Sequence, residues 1–171
     1  MLPEPSPPQL DARALEEFIA LHYARVVAIA SKIVGPHDAS DVAQDVFAQI
    51  DGAALPNAGW LYVATTHRAL NALRTQRRRT ERERSLFRLQ FSLRAREPDP
   101  ADVVERRHDR DAVRRAISRL SDDEAQMLAL RYGGLKYREI AAALHLDVNQ
   151  IGTRLARAER SFRREIERET S

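Results

Sequence analysis

Near the end of this 171-residue chain, Asn149, Gln150, Thr153, Arg154 and Arg157 are the positions left outside an apolar stripe of Ile151, Leu155, Ala158 and Phe162. These are groove-reading residue types: an arginine fork matches the edge of guanine, and Asn or Gln pairs with adenine. A second constellation places Trp60, Tyr62, His67 and Asn71 ahead of Arg74, Arg77, Arg78 and Arg79. Aromatics interleaved with cations suit unstacked bases and single strands, and the i, i+4 spacing puts His67 and Asn71 on one helical face. Competing readings stay open here. Trp60 taken alone is more often core than a stacking platform, His67 could be a structural histidine, and the arginine run could be merely solvated. A third group, Asp41, Gln44 and Asp45, lies on one side of a helix and is too polar to be core.

Other chemistry is excluded or unsupported. With no cysteine, disulfides, thiolate zinc sites, iron–sulfur clusters and cysteine nucleophiles are ruled out, which fits a reducing cytoplasm. The five histidines (His22, His37, His67, His108, His145) have no paired metal-ligand spacing, no glycine loop could cradle phosphate, and the carboxylates read as caps and solvated faces. The expectation is therefore a protein that is not an enzyme and needs no metal or cofactor. The start lacks a basic region and an apolar core, and no run of about 20 apolar residues could span a bilayer; export and membrane insertion are not expected.

Charge is arranged in blocks that cancel in the net +3. Residues 1–55 carry 3 basic and 8 acidic side chains, 56–96 carry 10 and 2, 97–126 carry 6 and 9, and 127–171 carry 9 and 6. Two basic segments alternating with two acidic ones suit a protein that grips a polyanion at two places and shows acidic surfaces to something else.

The elements that must position these groups are helical throughout, giving an all-α fold of two small helical domains. Leu15, Phe18, Ile19, Val26, Ile29 and Ile33 mark a first amphipathic helix that Gly35-Pro36 ends. Asp38 is read as the N-cap of a second, with Asp41 at the capping-box position and a stripe of Ala39, Val42, Ala43, Val46, Phe47 and Ile50. A loop at 51–56 leads to a third helix with Trp60, Val63, Ala64 and Leu70 as its expected buried stripe. Residues 80–105 lose periodicity and contain Glu97-Pro98-Asp99-Pro100, so they read as a flexible interdomain linker. Val113, Ala116, Ile117 and Leu120 then mark a helix, Ser121 and Glu124 a capping box opening the next, and Gly133-Gly134 its end. Ile140, Ala141 and Leu144 line a short helix, His145-Leu146-Asp147 turns with Asp147 as the next cap, and the Ile151 stripe follows: a helix-turn-helix.

In this order, the segment Asp38-Ala39-Ser40-Asp41-Val42-Ala43-Gln44-Asp45-Val46-Phe47, then Trp60-Leu61-Tyr62-Val63-Ala64, Asn71-Ala72-Leu73-Arg74, and finally Glu139-Ile140-Ala141 with Thr153-Arg154-Leu155-Ala156-Arg157-Ala158, resemble the extracytoplasmic-function (group 4) sigma factors of the sigma-70 family. The resemblance implies a disordered tail at 1–10, sigma region 2 at 11–79, a linker at 80–105 and region 4 at 106–171. It implies a transcription initiation factor that directs bacterial core RNA polymerase to promoters and helps open them. Asp41, Gln44 and Asp45 would dock on the clamp of the largest polymerase subunit. The loop at 51–57 with Asn57, and Trp60, His67, Asn71, Arg74, Arg77, Arg78 and Arg79, would hold the −10 strand. Lys136, Asn149, Gln150, Thr153, Arg154 and Arg157 would serve the −35 duplex, while region 4 touches the flap of the second-largest subunit. An anti-sigma partner is expected as well. The competing class is an autonomous helix-turn-helix regulator, and a third is an adaptor that binds only protein.

Several residues depart from the family pattern. His67 stands where Asn is common and Asn71 where Asp is common, so −10 base preference does not carry over. Lys136 occupies a usual Ser or Thr cap, Gly152 a frequent Lys, and His145 the usual turn glycine. The last costs about 1 kcal/mol if that position needs positive φ.

Overall fold

Helix start and stop signals account for most of the boundaries. The computed structural model describes residues 11–50, 54–90 and 101–170, which form seven helices: α1 (Ala12–Val34), α2 (Ala39–Phe47), α3 (Ala58–Gln90), α4 (Ala101–Arg119), α5 (Asp122–Tyr132), α6 (Tyr137–Leu144) and α7 (Val148–Thr170). The expected tail at 1–10, part of the 51–57 loop and the segment 91–100 lie outside the described residues. The Asp11 carboxylate caps α1 by accepting from the Arg13 N–H, and Gly35 ends it at φ 89°. Such a φ is open to glycine and strained for residues with a Cβ. Ser121 and Glu124 form the reciprocal capping box of α5, and the Asp147 side chain accepts from the Asn149 N–H at the start of α7.

Two expectations need correction. Asp38 is the residue before α2, but its side chain makes no capping hydrogen bond; with φ −93° and ψ −4° it already sits in the helical region rather than the extended one that aims a cap. The periodicity argument also ended the third helix too early. α3 continues past residue 79 to Gln90 and α4 begins at Ala101, so much of the 80–105 stretch is helical. At the start of this stretch the helix is supported by charge, which apolar spacing does not register. Arg77 pairs with Glu81 at 2.7 Å and Arg79 with Glu83 at 2.9 Å, both at i, i+4, a spacing that stabilises an exposed helix by about 0.3–0.5 kcal/mol per pair.

Helices α1, α2 and α3 pack on one another as a first unit, and α4, α5 and α6 pack with α7 as a second. The core of the first unit is Val26, Ile29 and Ile33 of α1, Val42 and Val46 of α2, and Leu61, Leu70 and Leu73 of α3. In the second it is Leu120, Leu130, Leu135, Ile140, Ile151 and Leu155. The two cores are continuous, because α1 and α3 also pack against α4 and α5, and α3 against α6.

Candidate nucleic-acid interface

α6 and α7 form the helix-turn-helix, and its turn is built on an unusual residue. His145 follows α6 at φ 53° and ψ 43°, the only non-glycine positive φ among the described residues. The chain therefore requires the left-handed turn that glycine adopts freely, and it places a β-carbon there. At the other end of α6 the capping is one-sided. Glu139 accepts from the Lys136 N–H at 2.7 Å, whereas a lysine ammonium has nothing to accept with. That backbone hydrogen bond is the main reason the Glu139 carboxyl titrates below its ordinary value; partial burial opposes it, and the Arg25 guanidinium adds to it.

The turn sets the first two turns of α7 outward. Ile151, Leu155 and Ala158 are buried against the unit, and Asn149, Gln150, Thr153, Arg154 and Arg157 are all exposed. Arg154 donates to the Gln150 side-chain oxygen at 3.3 Å, so these two groups support each other on the surface. Lys136 is exposed as well. The polar flank runs further than the sequence reading took it: Arg157, Arg160, Arg163 and Arg164 surround a surface depression of about 500 Å³ with Glu167. The signal for Arg160 and Arg164 was present in their three- and seven-residue offsets from Arg157. The opposite end of α7 is anchored, since Glu169 pairs with Arg115 and Arg119 of α4.

α3 presents the second set, with a stripe different from the one periodicity suggested. Leu61, Tyr62, Thr65, Thr66, Ala69, Leu70 and Leu73 are buried, Val63 and Ala64 only partly so, and Trp60 is 43% exposed. Buried threonines misled the apolar count. Thr65 and Thr66 satisfy their hydroxyls on the carbonyls of Leu61 and Val63 and so enter the core side of the helix. Trp60, His67, Asn71 and Arg78 are all exposed, and their seven- and four-residue offsets align them along one face roughly 27 Å long at 1.5 Å per residue. His67 is thus a surface residue and not a core histidine. Asn57 has a structural task in addition: its side-chain oxygen accepts from the Trp60 N–H at 2.8 Å and caps α3. Among the described residues Arg79 pairs with Glu83 on its own helix. Arg74 and Arg77 are not directed to solvent. Arg74 donates to the Leu120 carbonyl at 3.2 Å and pairs with Asp122, and Arg77 donates to Ser118 Oγ at 2.8 Å, all in the second unit.

On α2, Asp41, Gln44 and Asp45 are exposed while Val42, Ala43, Val46 and Phe47 are buried. The Asp45 carboxylate is held by Arg68 of α3 at 2.6 Å. Among the described residues no group of three His, Asp or Glu could hold a metal, and no helix is long and apolar enough to cross a membrane.

Residues 110–162 match the protein family described as Sigma-70, region 4. A solved structure of CnrH in complex with the cytosolic domain of CnrY is similar over 92% of this chain and 90% of that one, at 20% identity and a TM-score of 0.50. No curated protein matches the sequence.

Proposed function

We infer that this chain, whose residues 110–162 match sigma-70 region 4 and whose all-α fold is that of CnrH, is an RNA polymerase sigma factor of the extracytoplasmic-function type. It binds core polymerase and promoter DNA in transcription initiation and catalyses no reaction itself. The observation that carries this reading is the outward polar flank of α7, the second helix of the helix-turn-helix, inside the matched region. The first turns of such a helix enter the major groove, and Arg154 or Arg157 with Gln150 supplies the donors for a −35 element.

The finer assignments extend this reading. The first unit acts as region 2. The α3 face of Trp60, His67, Asn71 and Arg78 takes the −10 strand, with Trp60 available to stack and His67 and Asn71 to hydrogen-bond a captured base. The polar side of α2, with Asp41, Gln44 and Asp45, docks on the polymerase clamp, and the second unit reaches the flap. A protein partner also fits an apolar groove of about 590 Å³ between α1, α4, α5 and α7, lined by Ile33, Val113, Ile117, Leu128, Phe162 and Ile166. CnrH is complexed with the cytosolic domain of CnrY, and the occupant we assign to this groove is likewise a protein, an anti-sigma partner. The protein acts in the cytoplasm, where polymerase is.

Footprinting separates this function from an autonomous regulator. Purified protein should protect no promoter by itself and should direct promoter-specific initiation once core polymerase is added. A strong unaided operator footprint, with no effect on polymerase, would instead identify a self-sufficient regulator.

A further inference from the structure

Between α1, the start of α3 and α6 lies a cleft of about 900 Å³. Of the α3 face described above it takes in Trp60, while His67, Asn71 and Arg78 do not line it. Its volume falls within the roughly 300–1,000 Å³ of small-molecule sites. Two of its lining residues are large, apolar and open to water: Trp60 at 43% exposure and Leu21 of α1 at 76%. Beside them stand hydrogen-bonding groups that hold one another in place. His22 Nδ1 and the Tyr62 hydroxyl are 2.9 Å apart, and the His22 ring packs on Phe18 with centroids at 4.5 Å. Arg25 pairs with Glu139 at 3.0 Å, and Glu139 is fixed in turn by the Lys136 N–H. Side chains already fixed by such partners lose little freedom when a ligand arrives.

The charge of the cleft selects among ligands. Arg25 and Glu139 are the formally charged residues that line it, and they neutralise each other. Partial burial, with the Arg25 guanidinium adding to it, holds His22 below its ordinary value of 6.5, so its imidazole is neutral at pH 7. A cleft of this kind has no surplus cation for a phosphate, unlike the arginine-lined depression on α7. What it does hold is an indole ring, a neutral imidazole and a phenolic hydroxyl, and the last two groups can each donate and accept. A flat heterocycle with donors and acceptors along its edge matches that set, because its face stacks and its edge hydrogen-bonds.

We propose that this cleft is a nucleobase pocket, in which a planar nitrogen heterocycle stacks on Trp60 and sets its edge against His22 and Tyr62. The ring comes from a free nucleoside or from an unpaired base of a single strand, and the recognising chemistry is the same for both. Leu21 adds apolar contact from α1. The pocket goes beyond the sigma-factor reading, since neither the −10 nor the −35 assignment uses a residue of α1.

Trp60 is the one tryptophan of the chain, so its fluorescence reports on the cleft. The four deoxynucleosides, and separately a short single-stranded oligonucleotide of mixed sequence, are titrated into the free full-length protein, with correction for their absorbance. Saturable quenching is expected. A nucleoside that quenches identifies a free ligand as the source, and quenching by the oligonucleotide alone identifies a strand. In either case three variants should weaken it. His22→Phe keeps a ring without its nitrogens, and Tyr62→Phe removes the hydroxyl; each should raise the Kd about three- to tenfold, as loss of one neutral hydrogen bond does. Ala142→Phe fills the cleft from an exposed position on α6 that lines it and should abolish binding. Circular dichroism checks that each variant is folded, and the exposed Ala142 site keeps the test available if a change at the partly buried His22–Tyr62 pair destabilises the protein. The pocket is overturned if neither the oligonucleotide nor any nucleoside quenches up to about 10 mM, where a site of millimolar Kd is filled. It is equally overturned if the folded variants are quenched as the wild type is, which would put the base on the outer α3 face alone. The titration uses no polymerase and no promoter, so failure of the pocket leaves the sigma-factor reading standing, and failure of that reading leaves the pocket standing.

Discussion

The His67 side chain stands exposed on α3, so replacing it leaves the core untouched. His67→Asn should change which −10 base is preferred, measured as open-complex formation on promoters varied one base at a time, while the melting temperature stays within about 1 °C of wild type; surface changes of this kind usually alter stability by less than ~0.5 kcal/mol. A lowered melting temperature with unchanged base preference would place the pocket elsewhere. Asp45 calls for a paired experiment because it already holds Arg68. Asp45→Arg should weaken core-polymerase binding, and adding Arg68→Asp should restore the ion pair without restoring binding. Recovery in the double variant would mean that Asp45 acts only by fixing α3. Arg154 and Arg157 separate by the same logic. Loss of a bidentate base contact costs about 1–3 kcal/mol of discrimination between matched and mutated −35 sites, whereas loss of a phosphate contact weakens all sequences alike.

At the level of elements, the helix-turn-helix is held by a strained residue and by a half-made cap. His145→Gly relieves the left-handed φ of 53° and should stabilise the protein by about 1 kcal/mol, visible as a higher denaturation midpoint at unchanged slope. The Glu139 carboxylate caps the other end of α6, and its depressed titration fixes the sign of a pH effect. A carboxyl whose folded value lies below its ordinary 4.5 contributes stability that is fully present above that pH and is lost as pH falls through the folded value. Glu139→Gln should therefore narrow the gap to wild type in acid, as followed by chemical denaturation between pH 7 and 3; a gap that does not depend on pH would assign the residue a packing role alone. Along α7, Arg160 extends the basic flank. If it meets a phosphate, Arg160→Ala should lower the slope of log affinity against log salt for holoenzyme binding by about 0.9.

The whole molecule has one continuous core across both units, and the buried Thr66–Gln126 hydrogen bond bridges them. Gln126→Ala leaves the Thr66 hydroxyl without its cross-unit partner and should cost about 1–3 kcal/mol. Thr66→Val with Gln126→Leu, which removes both polar groups, should cost much less. Both units of the wild-type protein should unfold in one transition by far-UV dichroism and Trp60 fluorescence; two separate transitions would show that the cores do not cooperate.

The sequence by itself determined most of the helices and the outward polar face of α7. Capping residues such as Ser121 and Glu124, the stops at Gly35 and Gly133-Gly134, and the stripe of Ile151, Leu155 and Ala158 are local signals, and a helix edge or an amphipathic face depends on neighbours within a turn or two. The continuation of α3 past residue 79 was misread for a local reason as well, because the pairs Arg77–Glu81 and Arg79–Glu83 support it there and an apolar count does not register them. Tertiary structure alone decided the rest. It turned Trp60 outward and Thr65 and Thr66 inward, and it gave Asp45 to Arg68. It also tied Arg74 and Arg77 to the second unit, separating them from the other cations of the basic run. Each of these depends on contacts between residues far apart in the chain, and a period along one helix says which residues share a face but not what the fold brings against it.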